Sequence, residues 1–218
     1  MHVVASIQAR LGSTRLPGKV LYTIANKKIL EWVEERVNKS SAVDSVYVAV
    51  GDNPENDAVV ELCEREQTVY IQGPEDNLLQ RHKLVADSSK CDIFCRVTGD
   101  CPFVPPSEIT RTIEAHLNNQ NRYTTNHTPE MPIGTAVDVL NRDLLEELAD
   151  RGDRHPVKRL RENPEQWGTV YTDDERWTQF SEAHTAIDTP NDYWRLVDAI
   201  DAVGTDPFDV TQWVAEQN

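Results

Sequence analysis

Nowhere does the chain carry the ~18 consecutive apolar residues of a membrane-spanning helix, nor a basic segment leading into an apolar one. A membrane span and a secretory leader are not expected, and the reading is of a cytosolic protein. Basic charge is scarce: 22 Lys and Arg face 37 Asp and Glu, for a net charge of −15, and only 7 of the 22 are lysine. No basic tract breaks the acidity, which argues against nonspecific nucleic-acid binding, because phosphate contacts need clustered Lys and Arg. CxxC pairs are absent too. Cys63, Cys91, Cys95 and Cys101 have no nearby His cluster, so a structural zinc site is not expected and the thiols should be free and mostly buried.

What is present is enough for one domain with a real core: 218 residues, 39% hydrophobic, at a mean hydropathy of −0.57. The acidity is dispersed along the chain, which suits a solvated surface in a salty cytoplasm where screening relieves self-repulsion. Apolar runs at His2 to Gln8, Ser45 to Gly51, Val69 to Gly73 and Ile93 to Thr98 read as strands. Helical spacing appears over Ile29 to Asn38, Pro54 to Glu66 and Asp76 to Ser88. This alternation through residue 120 implies an α/β fold, a mostly parallel sheet with helices on both faces. Beyond it, Tyr123 to Asn126, Gly134 to Leu140, Thr169 to Thr172 and His184 to Asp188 read as shorter strands. Helices are expected at 141–150 and 154–163, and a final one from Thr189 and Pro190 that buries Tyr193, Leu196, Val197 and Ile200. With no internal repeat or linker, 1–218 reads as a single unit with a nucleotide-binding half (1–120) and an elaborated second half (121–218).

In open α/β sheets the ligand crevice lies beyond the carboxyl ends of the strands. After the first strand, Ala9 to Lys19 reads A-R-L-G-S-T-R-L-P-G-K: Gly12 and Gly18, the hydroxyls of Ser13 and Thr14, and the cations Arg10, Arg15 and Lys19. Backbone N–H groups and point charges in that density suit a loop wrapped around a polyphosphate. It is neither a Walker A loop, since Gly12 and Gly18 enclose five residues and Val20 stands where Ser or Thr would be, nor the dinucleotide GxGxxG. After the fourth strand comes Gly99-Asp100-Cys101-Pro102, and Ile187-Asp188-Thr189-Pro190 has the same form. An Asp at a strand end can reach a hard cation; it can equally cap a turn or helix.

Ile7 to Leu21, I-Q-A-R-L-G-S-T-R-L-P-G-K-V-L, closely resembles the signature of the CMP-sugar synthetases, in the branch typified by spore coat polysaccharide biosynthesis protein F. That branch is similar to the 3-deoxy-manno-octulosonate and acylneuraminate cytidylyltransferases. The resemblance continues through Gly73 to Arg81 (G-P-E-D-N-L-L-Q-R), Arg96 to Phe103 (R-V-T-G-D-C-P-F) and Ile187 to Pro190. It implies a Rossmann-like nucleotidyltransferase fold, CTP as donor, Mg²⁺ as cofactor and a homodimer. By the same resemblance Ala9, Arg10, Gly12, Ser13, Arg15 and Lys19 hold the triphosphate, and Asp100 and Asp188 bind the metal. Gly73, Asp76 and Arg81 border the base.

The second half departs from the branch pattern. Where a P-R-G-L-D-V-E-V-like strand is usual, Pro132 to Val139 reads P-I-G-T-A-V-D-V: Ile133 and Ala136 lack polar side chains, and only Asp138 keeps a carboxylate for the acceptor. An R-E-H-V-like segment appears as Arg154-His155-Pro156-Val157, its imidazole shifted by one position. The reaction expected is attack by an oxygen of a small acidic acceptor, such as a sugar acid, on the α-phosphorus of CTP, with pyrophosphate leaving. Lys19, Arg15 and Arg10 are its candidate catalytic groups and no residue is assigned as general base. Two alternatives are a nucleotide-sugar glycosyltransferase and a nucleotide-binding protein that has lost catalysis. His82, His116 and His184 read as structural or exposed, and Trp167, Trp177, Trp194 and Trp213 as support for the core or a dimer interface.

Overall fold

The computed structural model describes residues 1–217; Asn218, the last residue of the expected unit, lies outside them. Nine strands and nine α-helices follow one another as β1 (Val3–Ala9), β2 (Thr23–Ile24), β3 (Lys27–Lys28), α1 (Ile29–Asn38), β4 (Ser45–Gly51), α2 (Asp57–Glu66), β5 (Tyr70–Gly73), α3 (Leu78–Ser89), β6 (Ile93–Thr98), α4 (Pro106–Asn119), β7 (Tyr123–Thr125), β8 (Asp138–Asn141), α5 (Arg142–Asp150), α6 (Lys158–Glu162), β9 (Val170–Tyr171), α7 (Glu175–Thr178), α8 (Pro190–Val203) and α9 (Pro207–Glu216) among the described residues. Seven strands form one sheet in the order β5-β4-β1-β6-β8-β7-β9. β5, β4, β1 and β6 are mutually parallel, β8 is antiparallel to β6 and β7, and β9 runs parallel to β7.

β1 is central because its sequence, VVASIQA, buries both faces, as a parallel strand covered on two sides requires. One face packs with Val33, Val37 and Ile109 of α1 and α4, the other with Leu79, Val85 and Leu144 of α3 and α5. The chain leaves β1 for β4 and β5 on one side and returns to β6 on the other. The order therefore reverses at β1, and the crevice at such a reversal is where ligands bind in α/β sheets. A short hairpin, β2-β3, turns through Ala25 (φ 46°) and Asn26 (φ 71°), the latter a residue that tolerates the left-handed region.

The second half departs from expectation in several places: the helix expected at 154–163 forms only over Lys158–Glu162, and of the residues expected to be buried by the last helix only Leu196 is, with Tyr193, Val197 and Ile200 half-buried. His184 to Asp188 makes only an isolated bridge, Ile133 to His184, because its partner lies in the 131–135 loop and not on a sheet edge. Only the end of the expected 134–140 strand joins the sheet, as Asp138–Asn141; ahead of it, the Asn126 side chain accepts from the Val137 N–H at 2.6 Å. The last helical stretch is two helices, broken at Gly204 (φ 81°), with α9 capped by Asp206 accepting from Phe208 and Asp209. All four cysteines are buried and free, and burial pushes the Cys63 thiol up to about 12. Trp177 is in the core, whereas Trp194 is exposed.

With −15 of dispersed charge, the melting temperature is expected to rise from 0.1 to 1 M KCl, as the screening length falls from ~10 to ~3 Å. A flat or falling curve would discard the salt-adapted reading.

Candidate active site

Two backbone devices bring the site together. Gly99 follows β6 so closely against β1 that a Cβ there would stand 2.4 Å from the Gln8 carbonyl; its own N–H donates to that carbonyl at 3.0 Å. Gly18, at φ 72°, closes the loop after β1 with an N–H to Leu11 O bond of 2.9 Å and starts the single turn that carries Lys19. The loop is pinned from the side by buried Asn56, whose Oδ1 accepts from the Leu11 N–H at 2.8 Å.

The result is a cavity of about 450 Å³ beyond the carboxyl ends of β1 and β6. Ala9, Arg10, Gly12, Ser13, Arg15, Lys19, Asp76, Arg81, Asp100 and Asp188 all line it. Gly73 does not: it packs β5 against α3, where a Cβ would meet Leu84 at 2.7 Å.

Lys19 organises the cavity wall. Its Nζ donates to Asp100 Oδ2 at 2.5 Å, to the Ile187 carbonyl at 2.6 Å and to Asp188 Oδ1 at 3.0 Å, which engages all three ammonium N–H groups. Burial works against the charged form, but Asp100 and Asp188 outweigh it and hold the Lys19 pKa above its ordinary value. Arg15 reaches Asp188 Oδ1 from the solvent side at 3.0 Å. Neither carboxylate serves as a cap. Thr189 caps α8 in a reciprocal pair with Asp192, Oγ1 accepting from the Asp192 N–H at 3.3 Å and the Asp192 carboxylate from the Thr189 N–H at 2.8 Å. Ile187 N–H donates to Asp100 O at 2.9 Å, which holds the two strand-end segments side by side.

Each carboxylate keeps its other oxygen lightly engaged: Asp100 Oδ1 lies 3.6 Å from Cys101 Sγ, and Asp188 Oδ2 lies 3.8 Å from His184 Nε2. Two hard-oxygen donors that already embrace a cation suit Mg²⁺, which takes one or two carboxylates and completes its shell with phosphate and water oxygens. Among the described residues no three His, Cys, Asp or Glu side chains converge as a metal cage.

Arg81, 2% exposed, donates only long 3.5 Å bonds to Ala9 O and Glu75 O, and its Nε is buried without a partner. An under-satisfied buried guanidinium at a cavity wall is primed for a ligand oxygen. Arg10 pairs with Glu75 Oε1 at 3.5 Å, and Glu75 also accepts from Asn56 at 2.8 Å. Neither Glu75 nor Asn56 is predicted from the sequence: Asn56 lies outside every motif, and Glu75, although inside the Gly73–Arg81 motif, carries no local sign of its pairing with Arg10.

A second cavity of about 200 Å³ adjoins the first, with Asp100 and Asp188 on both walls. Arg96 and Arg161 line it, with Asn126, His127 and the 55% exposed Ile133. Asp138 lines neither cavity. It lies beneath, fully buried, with Arg96 at 2.9 Å, Arg161 at 2.9 Å to both oxygens, and the Tyr123 and Thr125 hydroxyls donating at 2.7 and 3.0 Å. Burial opposes its ionisation, but the two guanidiniums prevail and hold the carboxyl well below the usual range. One carboxylate against two guanidiniums leaves a positive charge at the cavity floor. His155, on the first cavity's wall, is pushed down to about 4 by burial and by Arg96 and Arg161; its Nδ1 accepts from the Val157 N–H at 3.3 Å. The ring is therefore neutral at pH 7.

Removing one member of a buried, paired set costs about 3–5 kcal/mol. Asp138→Asn is therefore expected to lower the melting temperature by roughly 6–20 °C at pH 7, at about 2–4 °C per kcal/mol for a chain of this size. Because the native pKa is depressed, that contribution is complete above the unfolded carboxylate pKa near 4 and fades as pH falls below it. The gap between parent and variant should narrow in thermal melts from pH 5 to pH 2. A variant as stable as the parent would mean the network carries little energy.

A family model described as cytidylyltransferase matches residues 4–172. The chain belongs to the cytidylyltransferase family. Spore coat polysaccharide biosynthesis protein SpsF of Bacillus subtilis (strain 168) is 29% identical over 197 residues, which cover 86% of this chain and 81% of that protein. A 3-deoxy-manno-octulosonate cytidylyltransferase of Trichlorobacter lovleyi is 33% identical over 119 residues, 55% of this chain and 46% of that protein. Among solved structures, a cytidylyltransferase from Leptospira borgpetersenii superimposes with a TM-score of 0.90 at 27% identity, covering 100% of this chain and 95% of that one. A CMP:2-keto-3-deoxy-manno-octonic acid synthetase solved with CTP shares the fold, with a TM-score of 0.73 at 20% identity over 93% of this chain and 99% of that one. These matches decide for a nucleotidyltransferase and against a glycosyltransferase. Among the described residues no helix of this cytidylyltransferase is long and apolar enough to cross a membrane.

Proposed function

We propose that this cytidylyltransferase moves CMP from CTP to a small anionic acceptor, releasing pyrophosphate, in the synthesis of a glycan or polysaccharide precursor. The observation that carries the reading is the pair of adjoining cavities that share Asp100 and Asp188. The larger is walled by the cationic loop, which suits a nucleoside triphosphate. The smaller has a net positive floor, which suits an acid. The reacting atoms would then meet at the shared carboxylates.

The roles follow from position. Arg10, Ser13, Arg15 and Lys19 would hold the triphosphate, and Arg81 would meet an oxygen of the nucleotide. Asp100 and Asp188 would hold Mg²⁺, which when bound withdraws charge from the phosphate oxygens. Lys19 and Arg15 would neutralise the charge that builds on the leaving pyrophosphate, within a wall already ordered by hydrogen bonds. Arg161 would anchor the acceptor's acidic group, since only its Nη2 is spent on Asp138, while Asp138 and Gln8 fix the neighbouring Arg96. Ile133 and Met131 add apolar surface to the same cavity.

Arg161→Met tests this directly. With an acceptor found by mass spectrometry of CMP adducts across a panel of sugar acids and small phosphonates, the KM for acceptor should rise about 100-fold or more, the equivalent of a lost charge-assisted contact, with the KM for CTP unchanged. Equal effects on both substrates would remove Arg161 from the acceptor site.

A further inference from the structure

We propose that the Lys19 ammonium is the resident cation of the Asp100–Asp188 pair in the nucleotide-free protein, so that a divalent cation gains this pair only together with the nucleotide that draws Lys19 away. The inference rests on the assignment of Asp100 and Asp188 as metal-holding residues.

The geometry points to competition. Lys19 Nζ sits directly between Asp100 Oδ2 and Asp188 Oδ1, and its third N–H is held by the Ile187 carbonyl. With Arg15 also on Asp188, two carboxylates face two cations and the cluster is neutral. A dication entering that cluster alone would meet the like charges of Lys19 and Arg15, with only the two lightly engaged oxygens, Asp100 Oδ1 and Asp188 Oδ2, left to it in exchange for part of its hydration shell. An ammonium suits the plug, being a compact point charge on a flexible four-carbon stem, whereas a planar guanidinium would not. The triphosphate changes the balance. It brings several negative charges into the cavity that Lys19 lines, giving Nζ new acceptors and freeing both carboxylates. Lysine then serves the phosphates and the metal serves the aspartates, so the two cations are exchanged and not merely added. By linkage, whatever favours metal on the pair favours nucleotide on Lys19, and the reverse.

The experiment is a titration of Mn²⁺, followed by its free-ion electron paramagnetic signal, into the nucleotide-free full chain. Lys19→Met is expected to bind Mn²⁺ at least about tenfold more tightly than the parent, a change of about 1.4 kcal/mol, and adding Asp100→Asn to it should erase the gain. Lys19→Gln, which keeps a neutral donor toward Asp100, is run beside it and decides the matter if Lys19→Met fails to fold. Parent and lysine variants that bind Mn²⁺ equally without nucleotide would overturn the proposal. A separate arm measures Mn²⁺ retained by the parent, Asp100→Asn and Asp188→Asn at saturating CTP. Loss in both Asn variants with no gain in the lysine variants would overturn the competition and leave the metal site standing. Retention in both Asn variants would discard the metal site itself, and the proposal with it.

Discussion

Lys19→Ala should lower kcat/KM for CTP by two decades or more, since losing one preorganised charge-assisted contact to a transition-state oxygen costs about 3 kcal/mol. Composition alone would leave the fold untouched, because a loop lysine contributes little to a core. The structure changes that expectation. Lys19 is 8% exposed and joins three segments, the loop after β1, the end of β6 and the entry to α8. Its removal leaves Asp100 and the Ile187 carbonyl without their donor, and a stability loss of about 1–3 kcal/mol should accompany the kinetic one. Circular dichroism melts and steady-state kinetics on the same preparation separate the two. Parental turnover in a folded Lys19→Ala protein would remove the loop from the chemistry.

Asp100→Asn and Asp188→Asn are each expected to abolish metal-dependent turnover, with the double variant little worse than either single one. Residues that act as one unit are not additive. Their convergence on one ammonium, from positions 88 residues apart, is the structural reason to treat them as a unit. If they were caps, each would cost roughly 1 kcal/mol of stability and spare activity. Thr189 and Asp192 already cap α8, so the stability effect should come from the ion cluster and be largest at low salt. Variants that stay active would discard the pair's role, and additive losses would assign the two carboxylates separate tasks.

What was legible in the sequence was whatever repeats with a local period or sits at a strand end. β1, β4, β5 and β6 announced themselves as short β-rich runs, and α1 as an apolar stripe through Ile29, Leu30, Val33 and Val37. Lys19 and Asp100 fall on one crevice because the α/β rule puts loops after successive parallel strands at the same edge, whereas Asp188 follows no sheet strand and is held there by the Ile187 N–H bond to the Asp100 carbonyl. The 184–188 stretch misled because Ala186 and Ile187 are buried like strand residues while the backbone partner is an irregular loop. Arg161 and Asn56 carried no signal at all. Their partners, Asp138 and Leu11, lie 23 and 45 residues away, and no spacing rule reports a buried ion pair or a side chain that satisfies a distant N–H. Asp138 sits in the neighbourhood the sequence points to, but it is buried beneath Arg96 and Arg161, so on the proposed reading the acceptor contact moves from the carboxylate to a guanidinium.

The most direct test is the fate of CTP labelled at its α-phosphate, incubated with Mg²⁺ and the panel of acidic acceptors. The expected result is transfer of the label, with cytidine attached, to one acceptor, matched mole for mole by pyrophosphate and dependent on Lys19, Asp100 and Arg161. Label that stays in CTP across the whole panel, or that leaves without an acceptor adduct, would contradict it.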